Sequence, residues 1–294
     1  MAKPVHPERQ DMLKLTLPLA AAAVLGIMRV RDAQADRREW SCLGKLQPDA
    51  PSRFDPCMVA DLPAPARRFF AFAIAPGAPL FTVAVISMEG QFSFGTRARP
   101  RYRRFSAREI VAAPQGFVWS MRTRSGPCID GTDAAHWTRF WTLGFIPIAR
   151  LGGSRDHARS SFGRYVAEAV FWSPASMLPG PGIAWEPVND DTARVTVTHG
   201  SLAQAVDITV AANGQPTHVE FQRWSNANPD KMFRWQPFGG VLSDFRETQG
   251  FRLPFHVEAG NMFGTDEYFP FFIVDLTEAH FPHSSGGGGG AHLA

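Results

Sequence analysis

The sequence predicts an α+β fold, a large antiparallel sheet with one or two helices packed on it. Three observations carry this. From Ala193 to His280 the apolar residues alternate in short segments separated by turn signals, as strands with one buried face do. One stretch, Ser161–Trp172, repeats at helical spacing instead. No βαβ rhythm, Gly-rich phosphate loop or internal repeat occurs.

Composition allows such a fold and removes several others. Of 294 residues, 45% are hydrophobic and 19% charged, which excludes global disorder and permits a sizeable core in one β-rich domain. The aromatics are skewed, with 24 Phe and 8 Trp against 3 Tyr, which suits a deep apolar core or an apolar cavity. A formal charge of +3 makes no case for a nucleic-acid partner. The basic run Arg97–Arg104 meets either water or an anionic membrane surface. Cys42, Cys57 and Cys128 show no zinc spacing. Cys42 and Cys57 are able to pair in an oxidising compartment, while the odd third thiol argues against a disulfide scaffold.

Along the chain, residues 1–35 read as a signal or membrane-anchor segment. Leu15–Met28 is an apolar run after Lys14, short for a spanning helix, with Ala33-Gln34-Ala35 as a cleavage site. Against cleavage, Arg29, Arg31 and Asp32 follow the run. Three readings stand: a cleaved signal, an uncleaved anchor, and an ordinary Ala-rich helix covering the domain. Residues 36–61 read as a polar linker or cover segment, 62–282 as a single β-rich domain and 283–294 as a flexible tail. Leu62–Ala75 forms a short amphipathic helix entered through Pro and stopped by Pro76-Gly77. Phe81, Val83 and Val85 alternate, then Phe92 and Phe94, with Glu89-Gly90 as the turn. Tyr102–Val111 and Gly116–Arg124 make the next pair, joined through Ala113-Pro114-Gln115. After the Ser161–Trp172 helix, ended by Pro174, come strands at Ala193–His199, Ala205–Val210, Thr217–Trp224, Gly239–Thr248, Leu253–Ala259 and Phe271–His280. Asn213-Gly214 is the strongest hairpin signal among them.

Several of these residues carry a resemblance. Leu62-Pro63 with Arg67-Arg68, Glu89-Gly90, Phe117-Val118-Trp119 and Arg164-Tyr165-x-x-Glu168 with Trp172-x-Pro174 are the first landmarks. Leu178-Pro179, Trp185-Glu186-Pro187-Val188, Trp235 and Gly250-x-x-x-Pro254 follow. From about Leu62 to His280 the chain resembles a bacterial family of unknown function, from which no activity carries over. It departs from that pattern over Gly131–Trp141. The late strands are also similar to the curved half-barrel of periplasmic lipoprotein carriers, where strands wrap a central helix around an apolar cavity. The resemblance implies a half-barrel-like sheet with its helices in the concave face.

Arg164 and Glu168 lie four apart on the helix and share a face with Trp172, which makes either a helix-bracing pair or an Arg presented to an anionic head-group. Arg223-Trp224 and Arg234-Trp235 resemble cation–π or head-group clamps. His218-x-Glu220, His256-x-Glu258 and Glu278-x-His280 each place both side chains on one face of a strand, either as a solvated face or, if the strands adjoin, as a metal site. Asp190-Asp191 and Asp266-Glu267 are turn acids, no G-x-S-x-G elbow occurs, and Cys128 reads as an inert thiol. The leading expectation is a non-enzymatic, envelope-associated protein binding an apolar small molecule or lipid, with Arg164, Glu168, Trp172, Arg223 and Trp235 as ligand-binding residues. It assigns no catalytic residue, metal or cofactor. An accessory subunit of a membrane protein complex, anchored by the N-terminal helix, and a metal-dependent hydrolase are the alternatives.

Overall fold

The computed structural model of the chain describes residues 8–282, with side chains from Ala20 onward. The tail 283–294 lies outside the described residues. The described residues form three α-helices: α1 (Glu8–Gly44), α2 (Ala64–Ala73) and α3 (Arg155–Trp172). Six strands precede α3: β1 (Ala84–Ser93), β2 (Tyr102–Ala112), β3 (Gly116–Thr123), β4 (Ile129–Ala134), β5 (Trp137–Thr142) and β6 (Ile146–Gly152). Seven follow it: β7 (Ile183–Pro187), β8 (Thr192–His199), β9 (Leu202–Val210), β10 (Pro216–Ser225), β11 (Arg234–Thr248), β12 (Phe251–Asn261) and β13 (Phe269–His280).

All thirteen strands join one open antiparallel sheet in the order β6-β5-β4-β3-β2-β1-β13-β12-β11-β10-β9-β8-β7. Every pair but one is a meander neighbour. The exception is the seam, where β1 meets β13 with Val85 opposite His280 and Phe92 opposite Phe272. α3 connects β6 to β7, which are the two edges of the sheet, so it must cross the sheet from one side to the other. It does so over β9, β10, β12, β2 and β3, with α2 beside it over β7, β8, β9 and β12. The large core lies on this face, built from Phe69, Phe70, Phe162, Trp172 and Phe251 among others. A small second core lies on the other face, where Leu43 and Trp40 of α1 cover Val83, Val85, Ile110, Val118 and Ala134. The sheet is therefore covered on both faces over β1–β4.

Several elements differ from the sequence expectation. Glu89-Gly90 is not a turn, since β1 runs through it unbroken. Gly90 is there for close approach: a Cβ on it would stand 2.2 Å from the Ile273 carbonyl oxygen. The real reversal follows Ser93. α3 starts at Arg155, earlier than Ser161, with the Ser154 hydroxyl accepting from the His157 amide at 3.1 Å. At Asn213-Gly214 the expected hairpin is present, with Gly214 at φ 86.

The N-terminal segment is one continuous helix rather than a segment and a linker. Helix α1 runs through the Ala33-Gln34-Ala35 site to Gly44. Its C-terminal half is docked by charge. Asp32 is 5% exposed and accepts two hydrogen bonds from Arg150, at 2.5 and 2.9 Å. Arg29 pairs with Asp130, and Asp36 accepts from Thr132 (3.0 Å) and Trp137 (2.9 Å). Beyond the helix, buried Gln47 bonds the Thr82 and Val83 amides, so the rest of the polar stretch does cover the sheet. Among the described residues no helix is long and apolar enough to cross a membrane. Cys42, Cys57 and Cys128 are all free thiols.

Candidate functional site

A cavity of about 450 Å³ lies between α3 and the concave face of the sheet. That volume falls within the range of small-molecule pockets. Its walls are mostly apolar, with Phe92, Phe140, Phe171, Phe221, Phe271 and Phe272 among the rings that contribute. The alternation of the strands explains this. Val219, Phe221, Arg223 and Ser225 occupy every second position of β10 and all four line the space.

One side of the cavity is ionic. From α3, Arg164 donates to Glu168 at 2.9 Å and to Asp133 of β4 at 2.6 Å. Glu109 of β2 lies 3.9 Å from it. The guanidinium also sits over Phe117 at 4.9 Å and Trp119 at 5.0 Å. Burial opposes the Arg164 charge, but the carboxylates of Glu168, Asp133 and Glu109 outweigh it and hold its pKa above the ordinary value. Burial, and then the charge of Glu168, push the Glu109 carboxyl well above the usual carboxylate range. Glu109 is fully buried and both its oxygens lack a hydrogen-bond partner among the described residues, as does Oε2 of Glu168. Raised in this way, Glu109 is biased toward its protonated form, which can donate toward Glu168 and leaves Asp133 and Glu168 to balance the charge of Arg164.

Arg223 makes no direct contact with that network but lies within reach of its charges. Its Nε is buried without a hydrogen-bond partner. Its nearest aromatic is Phe238, whose ring centre lies 4.9 Å from the guanidinium carbon. Burial, then the nearby Arg164 charge, pull its pKa down to about 10. It is still protonated at neutral pH. Among the described residues it forms no salt bridge, and the carboxylates of Asp133 and Glu168, which favour its charge, are engaged directly by Arg164 instead.

Of the five residues singled out from sequence, Arg164, Glu168, Trp172 and Arg223 line this cavity. Trp172 also ties α3 to the sheet, donating from Nε1 to the Pro254 carbonyl at 3.2 Å. Trp235 is outside it, 46% exposed, edge-on to Trp224 and under Arg159. The expected Arg223-Trp224 and Arg234-Trp235 clamps do not form. Successive strand residues leave on opposite faces. Arg223 turns into the cavity, Trp224 packs under Arg159 at 4.8 Å, and Arg234 pairs with Asp230 at 2.9 Å. Asp133 and Glu109 were missed from sequence. Glu109 had a readable signal: it is the lone acid on the face made by Phe105, Ala107 and Val111.

The His/Glu pairs do not converge. His256 spends both ring nitrogens locally, on Asp275 at 2.7 Å and Glu258 at 3.3 Å. Among the described residues no three His, Cys, Asp or Glu side chains are placed to hold a metal ion.

No curated protein matches the sequence. Among solved structures, a LolA superfamily protein from Nitrosomonas europaea is similar at 12% identity, over 68% of this chain and 86% of that one, with a TM-score of 0.37. A putative outer membrane lipoprotein-sorting protein domain from Vibrio parahaemolyticus is similar at 8% identity, over 69% and 86%, with a TM-score of 0.36. A DUF1329 family protein from Desulfovibrio piger is similar at 8% identity, over 69% and 87%, with a TM-score of 0.37. A family model matches residues 52–273, a span that includes both walls of the cavity and α3 between them, and on that match the chain belongs to the family of unknown function DUF6544.

Proposed function

We propose that the protein is an envelope-associated binding protein for an apolar, lipid-like molecule carrying one anionic head, held in the cavity between α3 and the sheet. The observation that carries the reading is Arg223, a half-buried guanidinium with its Nε buried and unpartnered, aimed into a largely apolar chamber and in no ion pair among the described residues. Aromatic walls favour a hydrocarbon chain by removing it from water. They also strengthen the attraction between Arg223 and an anion, because little water screens it. Arg164 is already saturated by carboxylates and serves to hold α3 in place.

The test is titration with a fluorescent long-chain carboxylate and with its methyl ester. A charge-assisted hydrogen bond is worth about 1.5–3 kcal/mol, so the acid binds the wild type about tenfold to a hundredfold more tightly than the ester. Arg223→Ala abolishes that preference and leaves ester binding unchanged. If neither probe binds, the cavity reading fails. If both bind equally to the wild type, the head-group assignment fails.

A further inference from the structure

The antiparallel register puts six reversals at one end of the sheet: those joining β1 to β2, β3 to β4, β5 to β6, β8 to β9, β10 to β11 and β12 to β13. The cavity opens toward this end, since Phe94, Ala227 and Asn261 both line it and lie at these strand ends. Large apolar side chains stand exposed there. Leu143 is 59% exposed, Phe145 55%, Met232 65% and Phe94 43%. An apolar patch of this kind marks an interaction surface.

Charge at the same end names the partner. The β1–β2 hairpin carries Arg97, Arg99, Arg101, Arg103 and Arg104, and no acid occurs between Gly90 and Arg108. Arg97 and Arg99 are exposed. Arg122 and Arg124, exposed at the end of β3, extend the field, with Arg124 sharing Glu89 at 3.0 Å. The nearby acids are few: Asp230 is paired with Arg234, and Asp266 and Glu267 sit in the β12–β13 turn.

The direction of α1 adds a third observation. Its C-terminal Leu43 lies by Gly116, at the start of β3 and thus the far end of the sheet. Asp36 meets Thr132 in the middle of β4, and Arg29 meets Asp130 near its beginning. The helix therefore leaves the sheet at the cavity end. It continues to Glu8, and at about 1.5 Å per residue the part before Arg29 is roughly 30 Å long. That part contains the apolar run Leu15–Met28, in which Val24 (61%) and Ile27 (56%) are exposed, and Val30 (55%) is exposed just after it.

We infer that this end of the molecule docks on an anionic lipid bilayer, with the N-terminal half of α1 and the apolar loop tips entering the surface and the arginines of the β1–β2 hairpin meeting the head-groups. The cavity then opens onto the membrane. A protein partner would account for the apolar tips alone; the acid-free cluster of exposed arginines beside them favours an anionic surface. The docking does not require the cavity to be filled.

The experiment is vesicle sedimentation of the full-length chain with phosphatidylglycerol–phosphatidylcholine vesicles and with phosphatidylcholine alone. Three double variants are compared, all at exposed positions: Leu143→Asp/Phe145→Asp, Arg97→Glu/Arg99→Glu, and Met58→Asp/Val188→Asp away from that end. The wild type sediments with the anionic vesicles, and less as salt rises. The first two variants each weaken binding about tenfold or more, and the third binds as the wild type does. Failure of the wild type to bind vesicles, equal binding by all three variants, or retention only by a co-purified protein subunit overturns the proposal.

Discussion

Arg164 is the single residue on which the concave side most depends, and Arg164→Met measures how much. The side chain is 15% exposed, as is that of Glu168, and Asp133 is 18% exposed. Removing the guanidinium leaves two carboxylates facing each other in a poorly hydrated space, with Thr138 the remaining donor on Asp133 at 2.5 Å. Breaking a buried pair on one side costs about 3–5 kcal/mol, because the surviving charge is uncompensated. For a domain of this size that is a fall of about 10 °C in Tm. Urea denaturation gives the free energy directly. The triple variant Arg164→Met/Asp133→Asn/Glu168→Gln removes the stranded charges with the cation and recovers most of the loss. If Arg164→Met costs under about 1 kcal/mol, the group is not the buried network described. If the triple variant is no better than the single one, the loss belongs to the stacking on Phe117 and Trp119, and the electrostatic reasoning is refuted.

Other outcomes follow from the same geometry. Glu109 holds its proton in the folded state above the ordinary carboxylate range, so the wild type loses stability as pH rises from that range through the raised folded value. Glu109→Gln removes this slope, and urea melts at about pH 5 and about pH 8 show its advantage growing with pH. Asp32→Asn weakens the charge-assisted bonds that hold α1 and costs about 2 kcal/mol, seen as faster amide exchange over Arg29–Gly44 with slower change elsewhere. Gly214→Ala places a Cβ 2.1 Å from the Arg68 carbonyl oxygen at a φ of 86, and destabilises by more than about 1 kcal/mol in chemical denaturation.

The C-terminal half of the sheet was legible because its strands have one core face and one solvated face. β8 through β13 alternate, and the expected segments fall inside the observed strands. β4, β5 and β6 were not legible, for a physical reason. Asp130 and Thr132 of β4 are buried but polar, because they face the ion pairs and hydrogen bonds of α1. Buried polar positions invert the pattern that marks a strand. Edge strand β6 buries no residue fully; only Pro147 and Ala149 are half-covered, between exposed Ile146 and Ile148, so its apolar residues point outward. The first residues of α3 were missed similarly, since Arg155–Arg159 serve Trp224 and the strand rims instead of the apolar core. In the cavity, Arg164 and Glu168 were visible as a local pair. Asp133 and Glu109 reach Arg164 only through the folding of other strands, which no local spacing encodes.

The seam between β1 and β13 makes the chain's assembly a matter of timing. Every other strand finds its neighbour within one hairpin, so the β2–β6 and β8–β12 meanders are low-contact-order units able to form as they emerge from the ribosome. β1 waits with one edge open until His280 has been made, close to the end of the chain. A nascent chain lacking β13 presents the unpaired edges of β1 and β12 together with an unclosed aromatic chamber, the kind of intermediate that draws strand-to-strand aggregation. Truncation just before Phe269 is therefore expected to be far more damaging to soluble yield than loss of the tail beyond Pro282.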